Sequence, residues 1–103
     1  MAWLTDREIT AMRFACVGTN VLLSNKASYY NCQNIRLGNH VRIDDFCVLS
    51  AGIGGIEIGN YVHVAVYTSI IGAGEITIDD FILQMYLHGS LFIQVLMTIV
   101  VLH

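Results

Sequence analysis

Aliphatic residues recur along this chain at a step of six residues. The positions that follow this step are Val17, Leu23, Leu37, Ile43, Leu49, Ile58, Val64, Ile70 and Ile78. The step matches neither the period of about 3.6 residues of an α-helix nor the period of about two residues of a half-buried strand. It therefore predicts a repeat architecture, in which each short unit adds one side chain to a shared interior.

Three segments can be laid over one another and define a longer unit. They are residues 35–43 (IRLGNHVRI), 56–64 (IEIGNYVHV) and 76–81 (ITIDDF), and their first residues lie 21 and 20 positions apart. Each interval equals three hexads plus two or three extra residues. The extra residues fall in the glycine-rich stretches 51–55 and 72–74, where a bulging corner is expected. Three hexads are one triangular turn of a solenoid.

The predicted fold is therefore all-β, a left-handed parallel β-helix of about three to four coils over residues 17–81. Like residues should stack in successive coils at the strand spacing of roughly 4.8 Å. The expected ladders are Leu37/Ile58/Ile78 and Val41/Val62. Gly38 and Gly59 suit the corners because they have no Cβ. An antiparallel sandwich is the alternative, but evenly spaced sandwich strands would not repeat the same residues in register.

Residues 1–16 precede the repeat and predict a short helical cap. Thr5 and Glu8 have the spacing of a capping box, in which a hydroxyl and a carboxylate each satisfy a free backbone N–H at a helix start. We expect a helix over residues 6–13. Its apolar positions do not form a long stripe, so it should lie against another part of the chain.

The repeat resembles that of the hexapeptide-repeat acyltransferases, especially the branch that acetylates galactosides and nucleotide-linked amino sugars. The resemblance is carried by residues 27–31 (ASYYN), 34–50 and 56–64 and covers about residues 4–81. It implies transfer of an acyl group from acetyl-CoA to the hydroxyl or amine of a sugar or nucleotide sugar. It also implies a homotrimer with sites between neighbouring prisms. The family's catalytic histidine usually comes from later coils, so no catalytic residue is identified here.

Four residues of the repeat are candidates for substrate binding. Asp44 and Asp45 are adjacent carboxylates that can hydrogen-bond a sugar, although solvated turn residues are the alternative. His63 occupies an outward position, as surface residues of a ladder commonly do. Tyr67 is expected either to line a cleft between subunits or to pack half-buried.

A metal site is not expected. The γ-class carbonic anhydrases share this prism and bind zinc through three histidines, which invites comparison with His40, His63 and His88. The sequence has no closely spaced histidine pair of the kind that such a site uses. We therefore expect acetyl-CoA as cosubstrate and no metal.

Composition excludes several other classes. With 55% hydrophobic and 13% charged residues the chain is not disordered, and a net charge of −3 without a basic run excludes nucleic-acid and lipid-headgroup binding surfaces. Cys16, Cys32 and Cys47 are widely spaced and odd in number, so we interpret them as buried or half-buried thiols in a reducing compartment. The N-terminus lacks the pattern of a secretory signal. The expected location is the cytoplasm.

Residues 82–103 break the repeat. They contain no Asp, Glu, Lys or Arg, and no hexad resumes after Phe81. One hypothesis is a membrane anchor over residues 82–102, which would make the protein a non-enzymatic, membrane-attached solenoid. The other is an out-of-frame product of a longer gene, because a plausible set of codons for residues 88–95 reads RVSIYSS when shifted by two bases. In that case the chain is a truncated, inactive acyltransferase.

Overall fold

The computed structural model describes residues 1–80 of the chain, and the segment 82–103 discussed above lies outside them. One α-helix, ten short strands and a 3₁₀ turn follow one another over these residues. They are α1 (Asp6–Met12), β1 (Cys16–Val17), β2 (Leu22–Leu23), β3 (Ser28–Tyr30), the 3₁₀ turn (Cys32–Asn34), β4 (Ile35–Leu37), β5 (Arg42–Ile43), β6 (Val48–Ala51), β7 (Ile56–Ile58), β8 (His63–Val64), β9 (Ser69–Gly72) and β10 (Ile76–Ile78).

The strands form three parallel sheets, which are the three faces of a solenoid. The first face has the order β1-β4-β7-β10, the second β2-β5-β8 and the third β3-β6-β9. Consecutive strands thus belong to different faces, and the chain returns to the same face after every third strand. The described residues make about three turns. The prediction of a parallel β-helix with a short N-terminal helix is confirmed.

Stacked aliphatic side chains fill the interior of the solenoid. On the first face Leu37 is in register with Ile58, and Ile58 with Ile78. All three are fully buried, as are Val41 and Val62 at a corner. Each coil thus covers the apolar side chains of the coil before it. This burial stabilises the fold by roughly 25 cal/mol for each Å² of apolar surface removed from water. The predicted ladders are confirmed.

The first coil departs from the prediction at Val17. This residue is in register with Leu37, but its side chain is exposed. Its strand, β1, is the edge of the first face, so no preceding coil of that face covers it. Val17 lines an open groove together with Ile9 of α1.

Helix α1 begins with the predicted capping box. The Thr5 N–H donates to Glu8 Oε1 at 2.9 Å, and the Glu8 N–H donates to Thr5 Oγ1 at 3.1 Å. The helix ends at Met12, one residue earlier than predicted, because Arg13 adopts a left-handed conformation with φ 60°. Ile9 is its buried residue and joins the hydrophobic core.

One corner explains why the repeat contains glycine before asparagine. A Cβ on Gly38 would lie 2.7 Å from the carbonyl oxygen of Gly59 in the next coil, so the close approach of the two backbones excludes any side chain. The Asn39 N–H donates to Asn60 Oδ1 at 2.7 Å, and the Asn60 N–H donates to Asp80 Oδ1 at 2.8 Å. The Gly-Asn pair therefore fixes the register of neighbouring coils.

Candidate functional site

The second face carries a group of polar side chains on its outer surface. Arg42 of β5 and His63 of β8 are in register and point outward, whereas Ile43 and Val64 next to them point into the core. This follows from the alternation of side chains along a strand. Short strands thus place a guanidinium and an imidazole side by side on successive coils.

Asp44, directly after β5, joins these two residues. Only 5% of Asp44 is exposed. Its Oδ1 accepts a hydrogen bond from Arg42 Nε at 2.8 Å, and its Oδ2 accepts one from His63 Nε2 at 2.7 Å. A buried carboxylate needs such partners because losing its hydration is costly. The alternative that Asp44 is a solvated turn residue is therefore wrong.

Trp3 completes the cluster from the N-terminal segment. This segment runs antiparallel to the first coil, with a bridge between Trp3 and Ser24 and a hydrogen bond from the Leu4 N–H to the Leu23 carbonyl at 2.8 Å. The Trp3 ring lies 5.4 Å from Arg42 Cζ, within the range of a cation–π contact. We call Trp3, Arg42, Asp44 and His63 the Asp44 cluster.

Asp45 faces a different partner from its neighbour. Its Oδ1 accepts a hydrogen bond from the Ser24 hydroxyl of the preceding coil, and Ser24 Oγ accepts one from the Lys26 N–H at 3.0 Å. The Asp45 carbonyl also accepts a hydrogen bond from the Tyr67 N–H of the following coil at 3.2 Å. Asp45 therefore joins three coils at one corner.

Exposed aromatic residues stand at the same corner. The rings of Phe46 and Tyr67 stack with centroids 5.2 Å apart and planes 18° apart. Both residues have left-handed backbones, with φ of 63° and 62°, which costs non-glycine residues roughly 1–2 kcal/mol each. Tyr67 is 70% exposed, so the interpretation of half-buried packing is wrong. A second stacked pair, His40 and Tyr61, stands at the opposite corner of this face.

The four predicted residues thus lie at one corner, but in two groups. Asp44 and His63 share a side-chain hydrogen bond, whereas Asp45 and Tyr67 share a backbone one. Trp3 was missed by sequence reasoning. Its position near the N-terminus belongs to no periodic pattern, and only the antiparallel bridge brings it to the second face.

The cysteines take no part in the cluster. Cys47 is buried in the core, and its Sγ donates to the Ala65 carbonyl at 2.9 Å. Burial is the main cause that raises the pKa of its thiol, to about 11, and burial also raises the pKa of the Cys32 thiol. All three cysteines are free thiols. Cys16 is exposed, so the expectation that every thiol would be at least half-buried is wrong for this residue.

Residues 1–80 contain neither a metal-binding cluster nor a membrane-spanning helix. Within residues 1–80, no three His, Cys, Asp or Glu side chains are grouped so that they could hold a metal ion. Over the same residues, no helix has the length and apolar character needed to cross a bilayer. His88 and the segment 82–102, for which a membrane anchor was one hypothesis, lie outside the described residues.

Comparisons with known proteins agree with this architecture. No protein-family model matches the chain. The dTDP-4-amino-4,6-dideoxy-D-glucose acyltransferase of Escherichia coli is 58% identical over 81 residues, which are 79% of this chain and 42% of that protein.

Solved structures of an acyltransferase also match this chain. AntD, an N-acyltransferase from Bacillus cereus in complex with dTDP and 3-hydroxybutyryl-CoA, matches with a TM-score of 0.71 and 45% identity, over 77% of this chain and 41% of AntD. An AntD mutant in complex with dTDP-4-amino-4,6-dideoxyglucose and coenzyme A matches with a TM-score of 0.66 and 47% identity, over 75% of this chain and 39% of that one. This chain spans less than half the length of these relatives. Its resemblance to the hexapeptide-repeat acyltransferases is confirmed in both sequence and fold.

Proposed function

We propose that this chain is part of an acyltransferase that moves an acyl group from acyl-CoA to the amino group of a dTDP-linked amino sugar. The observation that carries the proposal is the 58% identity with the E. coli acyltransferase over 81 residues. The AntD complexes, which hold CoA or an acyl-CoA together with dTDP ligands, support the same pair of substrates. Acetyl-CoA is the simplest donor, and N-acylation is favoured over O-acylation of a sugar.

The proposed reaction is aminolysis of a thioester. The lone pair of the sugar amine attacks the thioester carbonyl, the tetrahedral intermediate collapses, the C–S bond breaks and CoA leaves as a thiolate. The proton lost by the nitrogen passes through a base to that thiolate. Such a reaction needs a base with a pKa near neutrality and donors for the oxyanion.

We assign neither catalytic role to residues 1–80. The matched segment is less than half of the E. coli relative, and in our proposal the remaining length of such an enzyme supplies the base and the oxyanion donors. The 103-residue chain alone is then inactive in acyl transfer. It retains part of the binding surface.

Asp44, Asp45, His63 and Tyr67 are the residues that we propose for this binding surface. They lie close together on the second face, where a side-chain hydrogen bond joins Asp44 to His63 and a backbone hydrogen bond joins Tyr67 to Asp45. The 70% exposure of Tyr67 supports the proposal, because its ring is accessible to a ligand. No metal is part of the proposed site.

We further propose a homotrimer in the cytoplasm. The second face exposes Tyr61, Phe46 and Tyr67 around Arg42, and aromatic residues and arginine are enriched where protein surfaces meet. The three free thiols fit a reducing compartment.

Thermal unfolding with added ligands tests the function. The thermal midpoint of the 103-residue chain should rise with CoA and with dTDP-4-amino-4,6-dideoxyglucose, because ligands that bind the folded state stabilise it. With acetyl-CoA and the amino sugar together, mass spectrometry should detect no N-acetyl product. Absence of a shift with both ligands would contradict the proposed substrates, and product formation would contradict the proposed inactivity.

A further inference from the structure

We propose that the Asp44 cluster binds a phosphate or diphosphate group, with Arg42 as its ligand and Asp44 as the residue that positions it. The inference rests on the proposed function and deepens it, because both proposed substrates carry a diphosphate. It names the part of the substrate that contacts the second face.

The arrangement of Asp44 is the first reason. Its two carboxylate oxygens each accept one hydrogen bond, from Arg42 Nε and from His63 Nε2. The side chain is only 7% exposed, so this carboxylate lies behind the two groups that it holds. A buried carboxylate with this position orients two nitrogen-bearing side chains outward from adjacent coils. It is poorly placed to receive a sugar hydroxyl itself.

Arg42 supplies the donors. Its bond to Asp44 uses Nε, and a guanidinium carries four further N–H groups in a planar fork. The side chain is 46% exposed, and Trp3 covers one face of the guanidinium. A stacked and hydrogen-bonded guanidinium loses little conformational freedom on binding, and its fork matches two oxygens of a phosphate.

Both carboxylates at this corner already accept hydrogen bonds, whereas the Arg42 guanidinium keeps N–H donors. The positive charge of Arg42 offsets the negative charge of Asp44. The Asp45 carboxylate at the same corner accepts a hydrogen bond from the Ser24 hydroxyl. Arg42 is exposed and His63 is partly exposed, and within residues 1–80 the residues in register with Arg42 are Leu22 and His63. On the first face, by contrast, Arg36 is in register with Glu57.

The only tryptophan of the sequence provides a direct probe, because Trp3 lies against Arg42. The full chain is titrated with inorganic pyrophosphate at physiological salt, and Trp3 emission is followed. We expect a saturable change. Arg42→Gln should weaken binding at least about tenfold, since a charge-assisted pair is lost, whereas Arg36→Gln, with the same change in net charge, should bind as the wild type does.

Two further variants guard against misfolding and against a general charge effect. Arg42→Lys keeps the charge but loses the fork, and should bind several-fold more weakly than the wild type. The double variant Arg42→Gln with Asp44→Asn keeps the wild-type net charge and leaves no buried charge unpaired, yet should lose binding. Near-ultraviolet circular dichroism verifies that each variant is folded.

Competition of dTDP or CoA with pyrophosphate identifies which substrate supplies the phosphate. Displacement of pyrophosphate by dTDP assigns the cluster to the acceptor, and displacement by CoA assigns it to the donor. The inference is overturned if the wild type shows no saturable change, or if Arg36→Gln weakens binding as much as Arg42→Gln. If both nucleotides raise the thermal midpoint of the wild type and of Arg42→Gln equally, the proposed function stands and this site does not.

Discussion

Asp44 and His63 lie 19 residues apart in the sequence and are joined by a 2.7 Å hydrogen bond between Asp44 Oδ2 and His63 Nε2. The bond links two successive coils on the outside of the second face, where the aliphatic ladders do not reach. Asp44 also accepts a hydrogen bond from Arg42 Nε. The same carboxylate therefore stabilises the fold and positions side chains of the proposed site.

Replacing Asp44 by alanine should lower the free energy of unfolding by about 2–3 kcal/mol, because two charge-assisted hydrogen bonds are lost. Asp79→Ala removes the same charge from an exposed position and should change it by no more than about 0.5 kcal/mol. Urea unfolding measures both. Equal effects of the two variants would show that the Asp44 bonds do not stabilise the solenoid.

The interior ladder predicts a sharp contrast between two isoleucines. Ile58 is 1% exposed and packs between coils, whereas Ile53, at a bulged corner, is 99% exposed. Ile58→Ala should cost about 2–5 kcal/mol, since it removes apolar contacts and leaves a cavity. Ile53→Ala should cost less than about 0.5 kcal/mol. A similar loss of stability in both would contradict the arrangement of the core.

The sequence determines some parts of this structure more directly than others. The ladders could be predicted because every inward position needs an apolar residue. These positions recur with a period of six residues, which is visible in the sequence. The burial of Asp44 could not be predicted, since Asp44 and Asp45 are adjacent and chemically identical. Their difference arises from residues about 20 positions away, His63 and Ser24, which the coil stacking brings to them. The exposure of Tyr67 likewise depends on corner geometry.

Alkaline pH should destabilise the fold through Cys47. Burial raises the pKa of this thiol from 9.0 to about 11 in the folded chain. As pH rises through this interval, the unfolded chain releases its proton first, so the free energy of unfolding falls. Between about pH 8 and about pH 10 the loss should be on the order of 1 kcal/mol greater in the wild type than in Cys47→Ala. The same pH dependence in both proteins would contradict this assignment.

Thiol labelling should separate the cysteines by burial. Cys16 is exposed, whereas Cys32 and Cys47 are buried. A thiolate is the reactive form, and the raised pKa of the two buried thiols lowers its population further. A brief reaction with iodoacetamide in native buffer should therefore modify Cys16 alone, and all three thiols should react in urea. Mass spectrometry of tryptic peptides reports each site, and rapid native labelling of Cys47 would count against its position in the core.

Acyl transfer by a hybrid protein tests the central claim most directly. Residues 1–80 of this chain replace the matched segment of the E. coli acyltransferase, with which the chain is 58% identical over 81 residues. The hybrid is assayed with acetyl-CoA and dTDP-4-amino-4,6-dideoxyglucose by release of the CoA thiol and by the mass of the N-acetyl product. We predict CoA release and product formation in equal amounts. A hybrid that folds and binds CoA but forms no product would contradict the claim that this repeat is part of an acyltransferase.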